Sequence, residues 1–321
     1  IQSTVDTQLH IYEEIIRRHN RPKRDRDGVV ICGAYGRGNA GDDAILEAIL
    51  QEMRAIDPDM PITVLTKDPK ATRLTYRVRT AGRMDVGTWK KAMRHAGLYI
   101  NGGGSLIQDV TSRRSLWFYL LNIAVAKRCG CKVQMYGCGI GPIVYARDKK
   151  LAAHVINTCV DKITLREPDS RETLREFGVT GPEVILASDP ALTLPAAERS
   201  RIDRILREHD MDPDGKYIGF VLRKWPGIEE KATVFAAGAV YAYLKYGLTP
   251  VFFALEPNRD LGVTREVRTA LRCESVLLPT PEDETLIIGM MKRMRLGVSM
   301  RRHTLIFAAS VGAPLDAVSD D

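Results

Sequence analysis

The residues best suited to chemistry sit near the two ends of the chain. Asp42 and Asp43 stand behind a glycine-rich run, and Arg301, Arg302 and His303 stand close to the C-terminus. The run Gly36-Arg37-Gly38-Asn39-Ala40-Gly41-Asp42-Asp43 follows the apolar stretch Gly28-Val-Val-Ile-Cys32 and opens a helical pattern. A strand, a glycine turn and a helix start together present backbone N–H groups to an anion. Gly36, Gly38 and Gly41 match G-x-G-x-x-G, which raises a dinucleotide reading. Two carboxylates directly behind the third glycine would repel a pyrophosphate at that helix start. They suit instead a site that accepts hydrogen bonds from hydroxyls, such as those of a sugar. The plainer alternative is that both only complement the helix dipole.

Met300-Arg301-Arg302-His303 ends one apolar run and opens a helical pattern over 304–311. Cations at a helix N-terminus oppose its macrodipole unless an anion binds there, in which case dipole, N–H groups and side chains cooperate. Arg223 and Lys224 follow the strand-like run 217–222 at the equivalent edge, just before Trp225. Arg166, after 163–165, holds the corresponding edge of the first half; a salt bridge with Glu167 or Asp169 is its other reading. His303 is the candidate for proton transfer, since an imidazole titrates near neutrality.

Asn101-Gly-Gly-Gly-Ser105 is expected at a strand's end, where glycines allow close backbone approach to a ligand and Ser105 caps the next helix. A tight structural turn is the alternative. Tyr136-Gly-Cys-Gly-Ile-Gly-Pro142 repeats the device.

The elements that must position these groups alternate. Strand-like runs at 61–66, 98–101, 132–137, 162–165 and 183–187 are interleaved with helical patterns at 44–56, 116–129 and 147–160. A second series runs from 217 to 311, after a charged helix at 199–209. Such alternation predicts parallel sheets wound on both faces. The reading is α/β, with two Rossmann-like domains facing across a cleft. Its divisions are a basic N-terminal segment 1–27, an acceptor-side domain 28–192 and a C-terminal domain 193–321. The chain's end, soon after a strand begins, reads as an incomplete C-terminus.

The chain has 321 residues and a net charge of +7, which favours anionic partners. Six cysteines lack the paired spacing of a zinc site and read as reduced; no metal is expected. The longest apolar window, 116–126, is about half the ~20 residues that span a bilayer. No signal peptide is visible, and a cytoplasmic protein is expected. The basic run 17–26 is a solvated linker or a contact for anionic lipid headgroups. Nucleic acid is not an expected partner, because no basic stretch carries stacking residues at regular spacing.

Several stretches, in order from Gly33 to Pro314, resemble the polysaccharide pyruvyl transferase family. They are G-x-G-N-A-G-D-D-A-I-L, N-G-G-G-S-L-I-Q-D, Y-G-x-G-I-G-P, T-x-R-E-x-x-S, a D-P-A segment and M-R-x-H-x-L-I-F-A-A. The nearest likeness is to the CsaB-type enzymes that pyruvylate a bacterial cell-wall polymer. The resemblance implies a glycosyltransferase-B-like fold, phosphoenolpyruvate as donor and no cofactor. It implies a cyclic pyruvyl ketal on two hydroxyls of a sugar, in the CsaB case an N-acetylmannosamine on a lipid-linked precursor of the polysaccharide that anchors S-layers. Such an acceptor would bring the enzyme to the inner membrane face.

On this reading His303 is the general acid and Asp42 orients or deprotonates an acceptor hydroxyl. Arg223, Arg301, Arg166 and Lys224 hold the donor, the family's own arginines falling on Arg223 and Arg301. Asn39, Asp43, Gly103, Gly104, Ser105 and Gln108 meet the acceptor. Two departures stand out. Position 302 is arginine where the family usually has leucine, and the family continues past residue 321 through a segment that can carry a further basic donor ligand. Three other readings stay open. They are a nucleotide-sugar glycosyltransferase with Glu256 on the ribose, an NAD enzyme with Asp68 in that role, and a non-catalytic carbohydrate-binding protein.

Overall fold

The computed structural model describes residues 12, 13, 16, 26–225, 227–279 and 283–318. The expected lipid contacts Arg17, Arg18, Arg21, Lys23 and Arg24 lie outside the described residues. Arg26, the last of that basic run, belongs to the fold rather than to a solvated linker. Its guanidinium donates to the carbonyls of Ala96 at 2.6 Å and 3.1 Å and to that of Cys129. These carbonyls end the helices Val86–His95 and Arg113–Arg128, where orphaned acceptors and the negative dipole end favour a cation.

The chain forms two compact units, residues 1–37 with 49–188 and residues 38–48 with 189–321. The helix Ala40–Ile56 therefore gives its first turns to the second unit. In the first unit seven strands form a parallel sheet in the order β3-β2-β1-β4-β5-β6-β7. They are β1 Val29–Cys32, β2 Ile62–Thr66, β3 Arg79–Gly82, β4 Leu98–Ile107, β5 Lys132–Ile140, β6 Lys162–Leu165 and β7 Glu183–Leu186. The order reverses between β1 and β4, as in doubly wound folds. β1 carries only apolar residues because it is buried on both faces, with Val29 opposite Ile62 on one side and Leu98 on the other.

In the second unit β8 Tyr217–Val221, β9 Thr249–Phe253, β10 Val276–Leu278, β11 Leu296–Ser299 and β12 Leu315–Ala317 form a parallel sheet ordered β10-β9-β8-β11-β12. Phe220 and Phe252 stack at 5.2 Å between neighbouring strands at its centre.

Two expectations change here. The triple glycine does not end a strand: Gly102, Gly103 and Gly104 lie inside β4, which runs on to Ile107 through a register shift against β5. Gly103 and Gly104 have φ of 64° and 72°, so the irregular strand itself demands glycine. Nor does Ser105 cap the following helix; Ser112 does, accepting from the N–H of Ser115 at 3.3 Å.

Candidate functional site

The second unit contains a pocket of about 210 Å³ where β11 hands over to the helix Arg302–Ser310. Four arginines line it, Arg223, Arg259, Arg301 and Arg302, together with His303, Glu256, Asn39 and Gly41. Ser299, the last residue of β11, sets the turn by accepting from the N–H of Arg301 at 2.9 Å. Asn39 starts the helix Ala40–Ile56 in the manner of an N-cap, its side-chain oxygen accepting from the N–H of Gly41 at 3.0 Å. Its amide group keeps two donors beyond that cap.

Arg301 is held by two carboxylates from another element. Its Nε and Nη2 donate to Asp260 at 2.9 and 2.6 Å, and Nη1 donates to Glu256 at 3.0 Å. Asp260 is fully buried and Arg301 largely so. Burial alone would depress the guanidinium; Asp260 and Glu256 outweigh it and hold Arg301 above its ordinary value. Three of its five N–H donors serve this fork, which leaves two for a ligand. Glu256 also pairs with Arg259 at 3.3 Å.

The imidazole of His303 fills the space that a side chain at position 41 would take. A Cβ on Gly41 would lie 2.6 Å from Cε1, with Nδ1 and Cγ closer still. The third glycine of the loop is thus required by a histidine far along the chain. The first two have a different cause: Gly36 and Gly38 adopt φ of 72° and 70°. On the other side of the ring, Nε2 lies 3.9 Å from a carboxylate oxygen of the buried Asp189. Asp189 caps the short 3₁₀ helix Pro190–Thr193 through its other oxygen.

The other predicted residues distribute as follows. Arg223 lines the pocket, with its guanidinium 5.1 Å from the Trp225 ring centre. Lys224 is exposed and is not among the lining residues. Asp42 and Asp43 occupy the first turn of the helix Ala40–Ile56, and Asp43 is one of the charges that act on Glu284. Burial pushes the Glu284 carboxyl up to about 8, with Asp43, Glu47 and Asp283 adding to it.

Arg166 and Ser105 come together in the first unit, Nη2 to Oγ at 3.4 Å, where Gly139 leaves room for Ser105, Arg166 and Glu167. Gln108 turns its side-chain oxygen to the N–H of Thr111 at 3.0 Å, a local structural bond. Asp68 caps the helix Pro69–Tyr76 by accepting from the N–H of Ala71 at 3.0 Å. No cluster of potential metal ligands occurs among the described residues, and no described helix is long and apolar enough to cross a membrane.

Sequence reasoning missed Asp189, Asp260 and Arg259. Asp189 opens the D-P-A segment but carries no expected role there, and Asp260 and Arg259 fall before the helical pattern expected over 262–273. Only the fold brings their charges to residues 301 and 303.

A model of the polysaccharide pyruvyl transferase family matches residues 39–318. No curated protein matches the chain. Among solved structures, the chain is similar to a UDP-GlcNAc 2-epimerase from Methanocaldococcus jannaschii, with TM-score 0.63 and 12% identity over 91% of this chain and 84% of that one. It is similar to a UDP-GlcNAc 2-epimerase from Neisseria meningitidis bound to UDP-GlcNAc, at 0.60 and 12%, covering 91% and 83%. It is also similar to HepE from Anabaena in complex with UDP, at 0.59 and 11%, covering 90% and 80%. At such identities the likeness establishes the fold, a Rossmann-like glycosyltransferase-B architecture.

Proposed function

The chain belongs to the polysaccharide pyruvyl transferase family, and on that premise we propose that it transfers a pyruvyl group from phosphoenolpyruvate to two hydroxyls of a sugar. The observation that carries this reading is the small arginine-rich pocket around His303. Phosphoenolpyruvate presents a carboxylate and a phosphate on three carbons. Its recognition calls for guanidinium forks in a space well below the ~300–1,000 Å³ of drug-sized ligand sites. A pocket of about 210 Å³ with four arginines has both properties.

In the proposed reaction His303 gives a proton to the methylene carbon. The carbon that carries phosphate becomes cation-like, and the first sugar hydroxyl adds to it while its proton passes to Asp42. Phosphate then departs with the bridging oxygen, and the second hydroxyl closes the ketal and releases its proton. The products are a methyl-bearing cyclic ketal and inorganic phosphate, with no net redox change. Arg223 and Arg301 hold the donor. Lys224 and Arg166 stay assigned to the donor, and Asn39, Asp43, Gly103, Gly104, Ser105 and Gln108 to the acceptor. The acceptor proposed is an N-acetylmannosamine of a lipid-linked cell-wall polymer precursor, as in the CsaB-type enzymes. Its lipid would bring the protein to the cytoplasmic membrane face.

A nucleotide-sugar donor gains less support. Glu256, the residue that would grip a ribose, already meets Arg301 and Arg259 with its two oxygens.

The test is phosphate release from phosphoenolpyruvate with and without an N-acetylmannosamine-terminated acceptor, with mass spectrometry of the product. Acceptor-dependent phosphate, and a product heavier by pyruvate less water, are expected. His303→Ala should cut turnover about 10²–10⁴-fold, the usual worth of a general acid. Phosphate release that ignores the acceptor, or a full-speed His303→Ala variant, would overturn the assignment.

A further inference from the structure

We infer that Asp189 is the positioning residue for His303, fixing the ring so that Nε2 faces the buried carboxylate and Nδ1 faces the pocket as the proton-donating atom. The inference rests on the reading of His303 as the general acid. Its geometric basis is independent of any ligand. Nε2 lies 3.9 Å from Asp189 Oδ2, while the Nδ1 edge of the same ring packs over Gly41, which lines the pocket beside it. Asp189 is 5% exposed, and its other oxygen is occupied by the N–H of Ala191 at 3.0 Å. One oxygen is thus anchored to backbone, which aims the second at the imidazole. At 3.9 Å the carboxylate lies beyond hydrogen-bond distance of Nε2, but a buried negative charge that near favours the imidazolium and draws the neutral ring's proton to the nitrogen that faces it.

The pocket makes such a partner necessary. A general acid must hold its proton until the donor is in place, yet Arg223, Arg259, Arg301 and Arg302 share the pocket with this ring. Like charges at that range drive a proton off an imidazole. Glu256 and Asp260 are committed to Arg301. Asp42 and Asp43 open the adjoining helix, and Glu284 begins the helix packed against that of His303. Asp189 is the carboxylate that meets Nε2, and its burial lowers the local dielectric, which strengthens the attraction.

The variant that tests this is Asp189→Asn. It keeps an oxygen for the Ala191 N–H and the side-chain volume while removing the charge. Ring nitrogen shifts of the six histidines, followed against pH in labelled protein, report both tautomer and titration, with His303→Gln identifying the signal. In the unaltered protein the neutral ring should carry its proton on Nε2. In Asp189→Asn the tautomer should become mixed and the ring should titrate at lower pH. Turnover should fall about 10²–10⁴-fold, with the alkaline limb of its pH profile moved to lower pH and KM for phosphoenolpyruvate held near its original value. An unchanged tautomer and titration in a folded Asp189→Asn protein would overturn the inference. Absence of phosphoenolpyruvate turnover in the unaltered protein would instead sink the functional reading, and the ring spectra would still decide the role of Asp189.

Discussion

Gly41→Ala is the smallest change that tests the site's construction. Taken alone, position 41 welcomes alanine, since replacing glycine in the first turn of a helix stabilises by about 0.5–1 kcal/mol. The surroundings reverse the sign. The added methyl would lie 2.6 Å from Cε1 of His303, and nearer to Nδ1 and Cγ, whereas ordinary contact begins at 3.4 Å. The ring must therefore retreat by about 1 Å, or the helix start must move by as much. A misplacement of that size at a reacting group costs on the order of 10²-fold in rate. Overpacking costs roughly 1–3 kcal/mol of stability, part of which the helix preference offsets.

The expected phenotype is thus a protein that melts within a few degrees of the original yet turns over about a hundred-fold more slowly. The assay is acceptor-dependent phosphate release, with a thermal melt on the same preparation. The neighbouring substitution Ala40→Gly provides a control for mere loosening of the helix start and should leave a far smaller deficit. A Gly41→Ala enzyme with full turnover would refute the claim that the loop's third glycine exists to seat His303.

Two further outcomes follow from the charges. Asp260→Ala strands the buried Arg301 guanidinium with only Glu256 as counter-charge, so urea unfolding should show a loss of about 3–5 kcal/mol. A loss below about 1 kcal/mol would mean that water, rather than Asp260, satisfies Arg301. Glu284, whose carboxyl is pushed up to about 8, should behave as a group that weakens the fold with rising pH. Between its ordinary value of 4.5 and 8 the unfolded chain releases this proton while the folded chain keeps it, so stability falls across that window. The full shift corresponds to about 5 kcal/mol, and because the side chain is partly exposed we expect ~1–2 kcal/mol. Glu284→Gln should raise the melting temperature at pH 8 and leave it unchanged at pH 4; an equal gain at both would remove the carboxyl as the cause.

Much of the fold is legible in the sequence because its central strands are buried on both faces and read as apolar runs. The apolar stretch 28–32 holds β1 and the run 217–222 holds β8, both buried throughout. What escapes is informative for the opposite reason. β3, with the sequence Arg-Thr-Ala-Gly, and β12, with Leu-Asp-Ala, lie at sheet edges where no alternation of burial is imposed. The helix Asp169–Glu176 buries only Ser170 and Leu174, too few to leave a pattern. At the site, local chemistry carries the residue types but not their partners. A glycine at 41 announces close approach without saying to what, and the answer is a ring at position 303.

The arginine cluster shows how a sound local rule meets tertiary structure. Cations at the start of the helix Arg302–Ser310 oppose its dipole and call for an anion. For Arg301 the fold supplies Asp260 and Glu256, so that side chain is fixed before any ligand arrives. Against the four lining arginines these two carboxylates leave two positive charges, and a protonated His303 makes a third that Asp189 faces from behind. Phosphoenolpyruvate brings one carboxylate and a phosphate monoester of about −1.5 to −2. With Asp189 set against the protonated ring, these groups keep about two positive charges to meet the donor. Transfer of that proton to the methylene carbon leaves the total charge unchanged and moves one positive charge from the ring to the carbon that bears phosphate, where the sugar hydroxyl adds. The internal carboxylates thus tune the pocket: removing them would tighten donor binding in the ground state, and a pocket that binds ground state and transition state alike gains nothing in turnover.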